Sequence, residues 1–292
     1  MAPHADVGED LQGMQQLRDW LQRQPHLPPM PDKLMARMLH SCYGSVERTK
    51  TTVDNYMTIT THAPEVFGNR AALDRRYKSQ IDIMYVCSLK GHTKEGFSPM
   101  LIKFQDTDPA KFEMTSAVHA GLMSFCVQME IDDRVPGYVV LLDFTGVTMS
   151  HIMKVSLTTL KQLLVFVQEG LPVRLRGIHF INAQAIVQQI VNLVKPLMKK
   201  ELLDIFKVHT VDDMPEFYEK YVPLSAMPSD YGGQDKSCKE LHGEMKRCIE
   251  DNRDYLKMLD SLVVDETKRP GKSKSSSEVF GIQGSFKKLD LD

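Results

Sequence analysis

Apolar positions recur every three or four residues in several stretches of the chain, and elsewhere they close up into short continuous runs. Residues 11–24 carry Leu11, Met14, Leu17, Trp20 and Leu21 at helical spacing. PHLPPMP at 25–31 is a rigid extended break, after which Asp32 can cap a helix running through LMARMLHSCY. A third helix is expected from about Ser45 through Val53, Tyr56, Met57 and Ile59, and residues 64–80 read as a connector. The apolar run IMYVCSL, within 81–92, predicts a strand that turns at Gly91, and Met100–Phe104 predicts a second, closed by the turn DTDP. A helix over 110–130 follows, with Phe112, Met114, Val118, Leu122, Phe125, Cys126 and Met129 on its apolar side. GYVVLLDFTG, from Gly137 to Gly146, is continuously apolar, as strands buried on both faces are. Residues 150–168 predict another amphipathic helix through Ile152, Val155, Leu160, Leu163, Leu164 and Val167.

The segment from Leu171 to Thr210 has the most structure in its pattern. GIHFIN reads as a short buried strand bounded by Gly177 and Asn182. Ile186, Val187, Ile190, Val191, Val194, Leu197 and Met198 then lie on one stripe of a 3.6-residue period. Pro196 sits inside that stripe; it lacks a backbone donor and clashes with the preceding turn, so the helix should bend or restart there. FKVHT predicts a second strand, so the unit is a parallel βαβ crossover. Beyond it, a short helix at 214–224 and a polar helix at 236–262 are expected. Residues 1–10 and the lysine- and serine-rich tail around TKRPGKSKSSSE read as unstructured.

Composition narrows the function classes. A net charge of −2 over 292 residues gives no global field for nucleic acid. Cys42, Cys87, Cys126, Cys238 and Cys248 are odd in number and lack a CxxC pair, so reduced thiols are expected, with neither a disulfide framework nor a metal site. The first residues, MAPHADVGEDLQ, show no signal-peptide pattern, and no run reaches a membrane-spanning length. These features predict a cytosolic protein without a bound cofactor.

The chain has no G-x-S-x-G elbow, no P-loop and no G-x-G-x-x-G. Asp143 ends a central strand where α/β enzymes place catalytic groups, yet a hydrogen bond to the following turn explains it more simply. His179 alternates with Ile178 and Phe180 and reads as a core histidine. His151, at a helix start, reads as part of a cap. His209 and Thr210 close the last strand, within reach of solvent, with no role assigned. The sheet residues Ile102, Phe104, Val140, Leu142, Phe144, Ile178 and Phe180 need cover. The stripe at 184–204 supplies it, either as ordinary core or as the roof of a cavity.

Pro172, Arg174, Arg176, Ile178, His179, Ile181 and Asn182, followed by Lys195-Pro196, reproduce an ordered signature: P-x-R-hydrophobic-basic-x-I-H-hydrophobic-I-N, then a helix with K-P. The run resembles the CRAL-TRIO family of lipid-binding domains, which includes the tocopherol and retinaldehyde carriers. DFTG with Ser150-His151 and PSDYGG at 228–233 resemble two further segments of that family, and LMARMLHSCYG resembles its basic N-terminal helix, with Arg37 kept and His40 and Cys42 in place of arginines.

The resemblance implies an α/β fold, a mixed and largely parallel sheet flanked by helices with a gating helix, beside an all-α N-terminal domain. The units are then a helical domain at 10–75, a lipid-binding domain at 76–235, a C-terminal helix at 236–262 and a disordered tail at 263–292. It implies a monomeric, non-enzymatic carrier of a small lipophile such as a tocopherol, retinoid, carotenoid or phospholipid. By strand alternation and this resemblance, Phe104, Met123, Phe125, Val140, Leu142, Phe144, Ile152, Ile178, Phe180, Val187, Val191 and Val194 would face the ligand. Pro196 would hinge the gate. His119, Met123 and Val147 stand where such carriers place polar or aromatic residues. Between Arg174 and Lys207 the bases Arg174, Arg176, Lys195, Lys199, Lys200 and Lys207 outnumber Glu201 and Asp204. Such a run is an ordinary solvated face; the resemblance implies instead that Arg174, Arg176, Lys195, Lys199 and Lys200 meet phosphoinositide head groups at a membrane. An interaction module with a filled core is the alternative, with no transfer activity.

Overall fold

In a computed structural model, residues 7–132, 135–183 and 187–281 are described. Helices α1 (Val7–Gln22), α2 (Asp32–Ser41) and α3 (Val46–His62) form the N-terminal layer. The first helix starts at Val7, earlier than its apolar spacing indicates. Leu17, Met38, Leu39, Tyr56 and Met57 are almost wholly buried between these helices and their neighbours. Residues 64–80 are not a plain connector. They hold α4 (Pro64–Phe67), a 3₁₀ turn at Arg70–Ala72 and α5 (Arg75–Ile81), the last capped by Asp74, whose carboxylate accepts from the Arg76 and Tyr77 amides.

The sheet follows: β1 (Met84–Ser88), β2 (Ser98–Phe104), α6 (Met114–Asp132), β3 (Tyr138–Asp143), α7 (Met149–Ile152) and α8 (Leu157–Val165). Then come β4 (Leu175–Ile181), α9 (Val187–Val194), α10 (Lys200–Ile205) and β5 (Phe206–Val208). The strands lie in the order β1-β2-β3-β4-β5. β1 is antiparallel to β2, and the other pairs are parallel. Strand β4 begins two residues before Gly177, because Leu175 pairs with Tyr138 of β3 ahead of a register shift that leaves Arg176 unpaired. The helix expected at 150–168 breaks into α7 and α8, and α8 ends in a π turn at Phe166–Gly170.

Register sorts the side chains by face. Met100, Val140, Ile178 and Phe206 form one row and Ile102, Leu142 and Phe180 the next, all on the side of α6–α9. Leu101, Leu141 and His179 point the other way. There they pack under α11 (Met214–Lys220) and α12 (Cys238–Asp251), with Phe217, Val222, Met227 and Leu241 in the same cluster. The PSDYGG turn needs both glycines: Gly232 has φ +82, and a Cβ on Gly233 would lie 1.9 Å from the Met227 carbonyl oxygen.

The polar stretch at 236–262 is two helices, α12 and α13 (Arg253–Asp260). The tail packs as well. Arg269 pairs with Asp54 at 2.9 Å and with Glu266 at 2.6 Å, and Ser276 donates to the His62 carbonyl. The short helix α14 (Ser276–Val279) then delivers Phe280, 1% exposed, into the N-terminal core. The tail beyond residue 281 and the first six residues lie outside the described residues.

Arg37 is 2% exposed and donates to Glu130 on α6 at 2.9 Å and to the Tyr255 hydroxyl on α13 at 3.2 Å. Burial pushes the Glu130 carboxyl up, but the hydrogen bonds from Lys33 and Arg37 outweigh it and hold the pKa low. The retained arginine of the basic N-terminal helix therefore ties that layer to the sheet domain and is not presented to a membrane.

Candidate functional site

Between the α6–α9 side of the sheet and its covering helices lies a cavity of about 380 Å³, within the size range of small-molecule sites. Its floor is the sheet row Met84, Met100, Ile102, Phe104, Val140, Leu142, Phe144, Ile178, Phe180 and Phe206. One wall comes from Met114, Ala117, Val118, Gly121, Leu122 and Phe125 on α6, with Phe112 just before it. Val147, His151, Ile152, Val155, Leu160, Leu163, Leu164 and Val167 close the next side, and Ile190, Val194 and Met198 complete the roof. The lining is almost entirely hydrocarbon. Lys103 and Asp143 border it, but their side chains turn to the opposite face of the sheet and meet Tyr231 there.

Of the residues expected to face a ligand, Phe104, Phe125, Val140, Leu142, Phe144, Ile152, Ile178, Phe180 and Val194 all border this cavity. Met123, Val187 and Val191 do not. Met123 is 1% exposed in the core shared with the N-terminal helices. It sits one position, a 100° turn of helix, from Leu122, which lines the cavity. Val187 packs beside Phe180 and Ala183, with Val191 against the same cluster. His119 faces away and its Nδ1 contacts the Val66 carbonyl at 2.9 Å, while Val147 is in the lining. The helix α8 residues Leu160, Leu163 and Leu164 and the methionines Met84, Met100, Met114 and Met198 were missed. The amphipathic stripe of α8 was visible in the sequence, but a stripe does not say whether its partner is a side chain or a space.

Pro196 lies in a 3₁₀ turn, Lys195–Leu197, that ends α9, and the chain becomes extended at Met198 before α10. Ile186, the first residue of the expected stripe, falls outside the described residues. The break is tied down. Gln168 donates to the Leu197 carbonyl and accepts from the Lys199 amide, and Lys199 pairs with Glu169. The roof is thus fastened to the π turn at Phe166–Gly170 through groups near the surface.

Arg174 and Arg176 come together over one ring. The Arg174 guanidinium lies 4.0 Å and that of Arg176 5.8 Å from the centre of Tyr43, which is 59% exposed. Arg174 also donates to the His40 carbonyl, and Arg176 lies 5.4 Å from the Phe97 ring. Among the described residues, Lys195 and Lys200 are exposed and form no ion pair, whereas Lys199 is engaged.

The polar candidates resolve into structural roles. Asp143, 4% exposed, accepts from the Thr145 amide and hydroxyl at 2.8 and 2.7 Å, from Asn182 at 3.2 Å and from the Tyr231 hydroxyl. Its lone pairs are taken. His179 and His209 stack at 11° with Nδ1 and Nε2 2.9 Å apart, enclosed by Phe217 and Tyr221. His209 is 7% exposed, so it does not reach solvent as its position at the strand end implies. Burial, then the neighbouring His209 and Lys207, pull the His179 pKa down to about 3. All five cysteines are free. Among the described residues no group of acids, histidines or cysteines is gathered for a metal, and no helix is long and apolar enough to cross a membrane.

Among the described residues, a mixed five-stranded sheet with an apolar cavity beneath a proline-broken helix defines an α/β protein built around a hydrophobic chamber. The chain belongs to the CRAL/TRIO family: the CRAL/TRIO domain matches residues 83–233. Residues 8–76 match a Pinta-like UBA domain. The chain is 25% identical over 227 residues to the human (Homo sapiens) alpha-tocopherol transfer protein-like protein, covering 76% of this chain and 65% of that one. The matched stretch is thus under two thirds of that relative. Rat (Rattus norvegicus) clavesin-1 is 22% identical over 170 residues, 58% of this chain and 48% of its own. A crystal structure of Sfh5 aligns with a TM-score of 0.48 at 12% identity, covering 85% of this chain and 100% of that one.

Proposed function

We propose that this protein is a monomeric, non-enzymatic carrier that holds one small lipophile in the cavity and exchanges it at membranes. The observation that carries the reading is the cavity itself, a hydrocarbon-lined space between sheet and helices in a position where a core would ordinarily be filled. An empty apolar space of this size costs packing energy, and an apolar guest restores it. The names of the relatives, which include tocopherol transfer protein-like proteins, support the same reading.

The physical case for a carrier is the cost of desorption. A chain of about 15 methylenes costs roughly 12 kcal/mol to expose to water, at about 0.8 kcal/mol per CH₂. A hydrocarbon cavity replaces the bilayer almost evenly, so transfer needs docking and a door. The roof from Ile190 to Met198 is that door in our reading, with Pro196 as its hinge and the contacts of Gln168 and Glu169 as its catch. Docking is assigned to Arg174 and Arg176, two guanidiniums beside the exposed Tyr43, with Lys195, Lys199 and Lys200 adding positive charge; phosphoinositide head groups are the proposed lipids. The protein would then be cytosolic and touch membranes transiently.

Mass spectrometry of organic extracts from the purified protein tests the reading. A stoichiometric lipophile is the expected result. An empty extract, together with no binding of the hydrocarbon probe diphenylhexatriene, would remove it.

A further inference from the structure

We propose that His151 is the polar anchor of the cavity and donates its Nε2–H to a single uncharged acceptor oxygen on the lipophile. This rests on the carrier reading and names the class of ligand within it: a ketone, aldehyde, ester, alcohol or phenol, in preference to a fatty acid or a phospholipid whose charged head is enclosed.

The tautomer of His151 follows from its cap. Thr148 opens α7, and its backbone amide lies 3.2 Å from His151 Nδ1, with its hydroxyl at 3.0 Å. An amide only donates, so Nδ1 accepts and the hydrogen of the neutral ring sits on Nε2. Burial, with Lys154 nearby, lowers the pKa of His151 and keeps the ring neutral. Nε2 is buried and meets no acceptor among the described residues, in a side chain only 3% exposed. Buried donors left alone are uncommon in native proteins and call for a partner.

The surroundings say where that partner comes from. The rings of Phe104 and Phe112 pack on the imidazole at 5.1 and 5.8 Å, and both rings border the cavity. They hold bulk water away from this side of the ring. Among the described residues, His151 is the polar side chain on the cavity face, since Lys103 and Asp143 turn to Tyr231. Phe104 and Phe112 also pack on each other, ring centres 5.5 Å apart, so an acceptor oxygen from the cavity completes the histidine by displacing the edge of one of these rings. A carboxylate or phosphate would instead be buried against a neutral ring with no counter-charge, which is costly.

The test compares heptadecan-2-one, heptadecane and palmitate as competitors for bound diphenylhexatriene, in wild type and His151→Asn. Asparagine Oδ1 can take the place of Nδ1 and keep the cap, but nothing replaces Nε2. The ketone should bind wild type about tenfold more tightly than the alkane, the scale of one satisfied buried hydrogen bond. In His151→Asn that preference should vanish, ketone and alkane then binding alike, and palmitate should bind wild type more weakly than the ketone. In wild-type protein carrying ¹⁵N-histidine, the His151 Nε2 resonance should move with the ketone and stay put with the alkane. This second measurement does not depend on the variant folding. An equal ketone preference in both proteins, a tighter palmitate, or an unmoved Nε2 resonance in a ketone complex would overturn the anchor and leave the carrier reading standing. Failure of all the apolar probes to bind wild type would overturn both.

Discussion

The hydroxyl of Tyr231 donates to the Asp143 carboxylate across 88 residues of sequence. It joins the PSDYGG turn to the end of β3 and locks the sheet face opposite the cavity. Burial, then the Asp143 charge, push the Tyr231 pKa up, so the phenol remains a donor over any ordinary pH. Tyr231→Phe removes one donor from a buried carboxylate, and we expect a loss of about 1–3 kcal/mol in urea unfolding. Ligand affinity should not change, because the bond lies on the far face. A variant as stable as wild type would show that the remaining donors suffice.

The pair His179–His209 predicts an acid-sensitive fold. The folded pKa of His179, about 3, is below its ordinary 6.5, so the folded state resists a proton that the unfolded chain takes up. Its contribution is full above pH 6.5 and is lost as pH falls through 6.5 toward 3. Between pH 7 and 5 this costs about 2 kcal/mol, at about 1.4 kcal/mol per pH unit. His209 is shifted in the same direction by burial. Urea unfolding at the two pH values should show that loss in wild type and a smaller one in His179→Leu. Equal losses would place the acid sensitivity elsewhere.

Phe280 is 1% exposed at the end of a tail rich in lysine and serine. Phe280→Ala should cost about 3 kcal/mol, as large-to-small core changes do, and thermal unfolding would reveal it. An unchanged midpoint would mean that the tail adds nothing to the core it covers.

That tail shows where sequence reading stops. Its composition is that of a solvated segment, and what orders it is Arg269 meeting Asp54, 215 residues away, a pairing with no local signal. The strands were legible for the opposite reason: GYVVLLD and GIHFI are largely apolar runs, and alternation along each sorts its side chains between the two faces. The same alternation chose Val140, Leu142, Ile178 and Phe180 for the cavity face. It could not separate Leu122 from Met123 on α6, because neighbouring helix positions differ only by rotation and each found an apolar surrounding. Nor could it show a hollow, since Leu160, Leu163 and Leu164 carry the same stripe whether they meet atoms or space.

Arg174 and Arg176 bear on docking. The double change Arg174→Ala, Arg176→Ala should weaken co-sedimentation with vesicles containing phosphoinositide by roughly tenfold or more at low salt, at about 1 kcal/mol per basic group near an anionic surface. Diphenylhexatriene affinity should stay within twofold. Unaltered vesicle binding would make the pair a packing feature of Tyr43 and move docking to another surface.

Gly121 gives the most direct test of the cavity as a ligand chamber. It lies in α6 and borders the cavity, and a Cβ there would make an ordinary contact, 3.6 Å from Ile102 Cδ1. Gly121→Leu therefore puts a side chain into the space without straining the backbone, and it removes a helix-weakening glycine. The measurement is a diphenylhexatriene titration of wild type and Gly121→Leu, with thermal midpoints recorded on the same samples. The account predicts saturable binding by wild type and at least roughly tenfold weaker binding by the variant, whose midpoint is equal or higher. Equal binding by the two proteins would contradict it, because the probe would then be held somewhere other than the cavity.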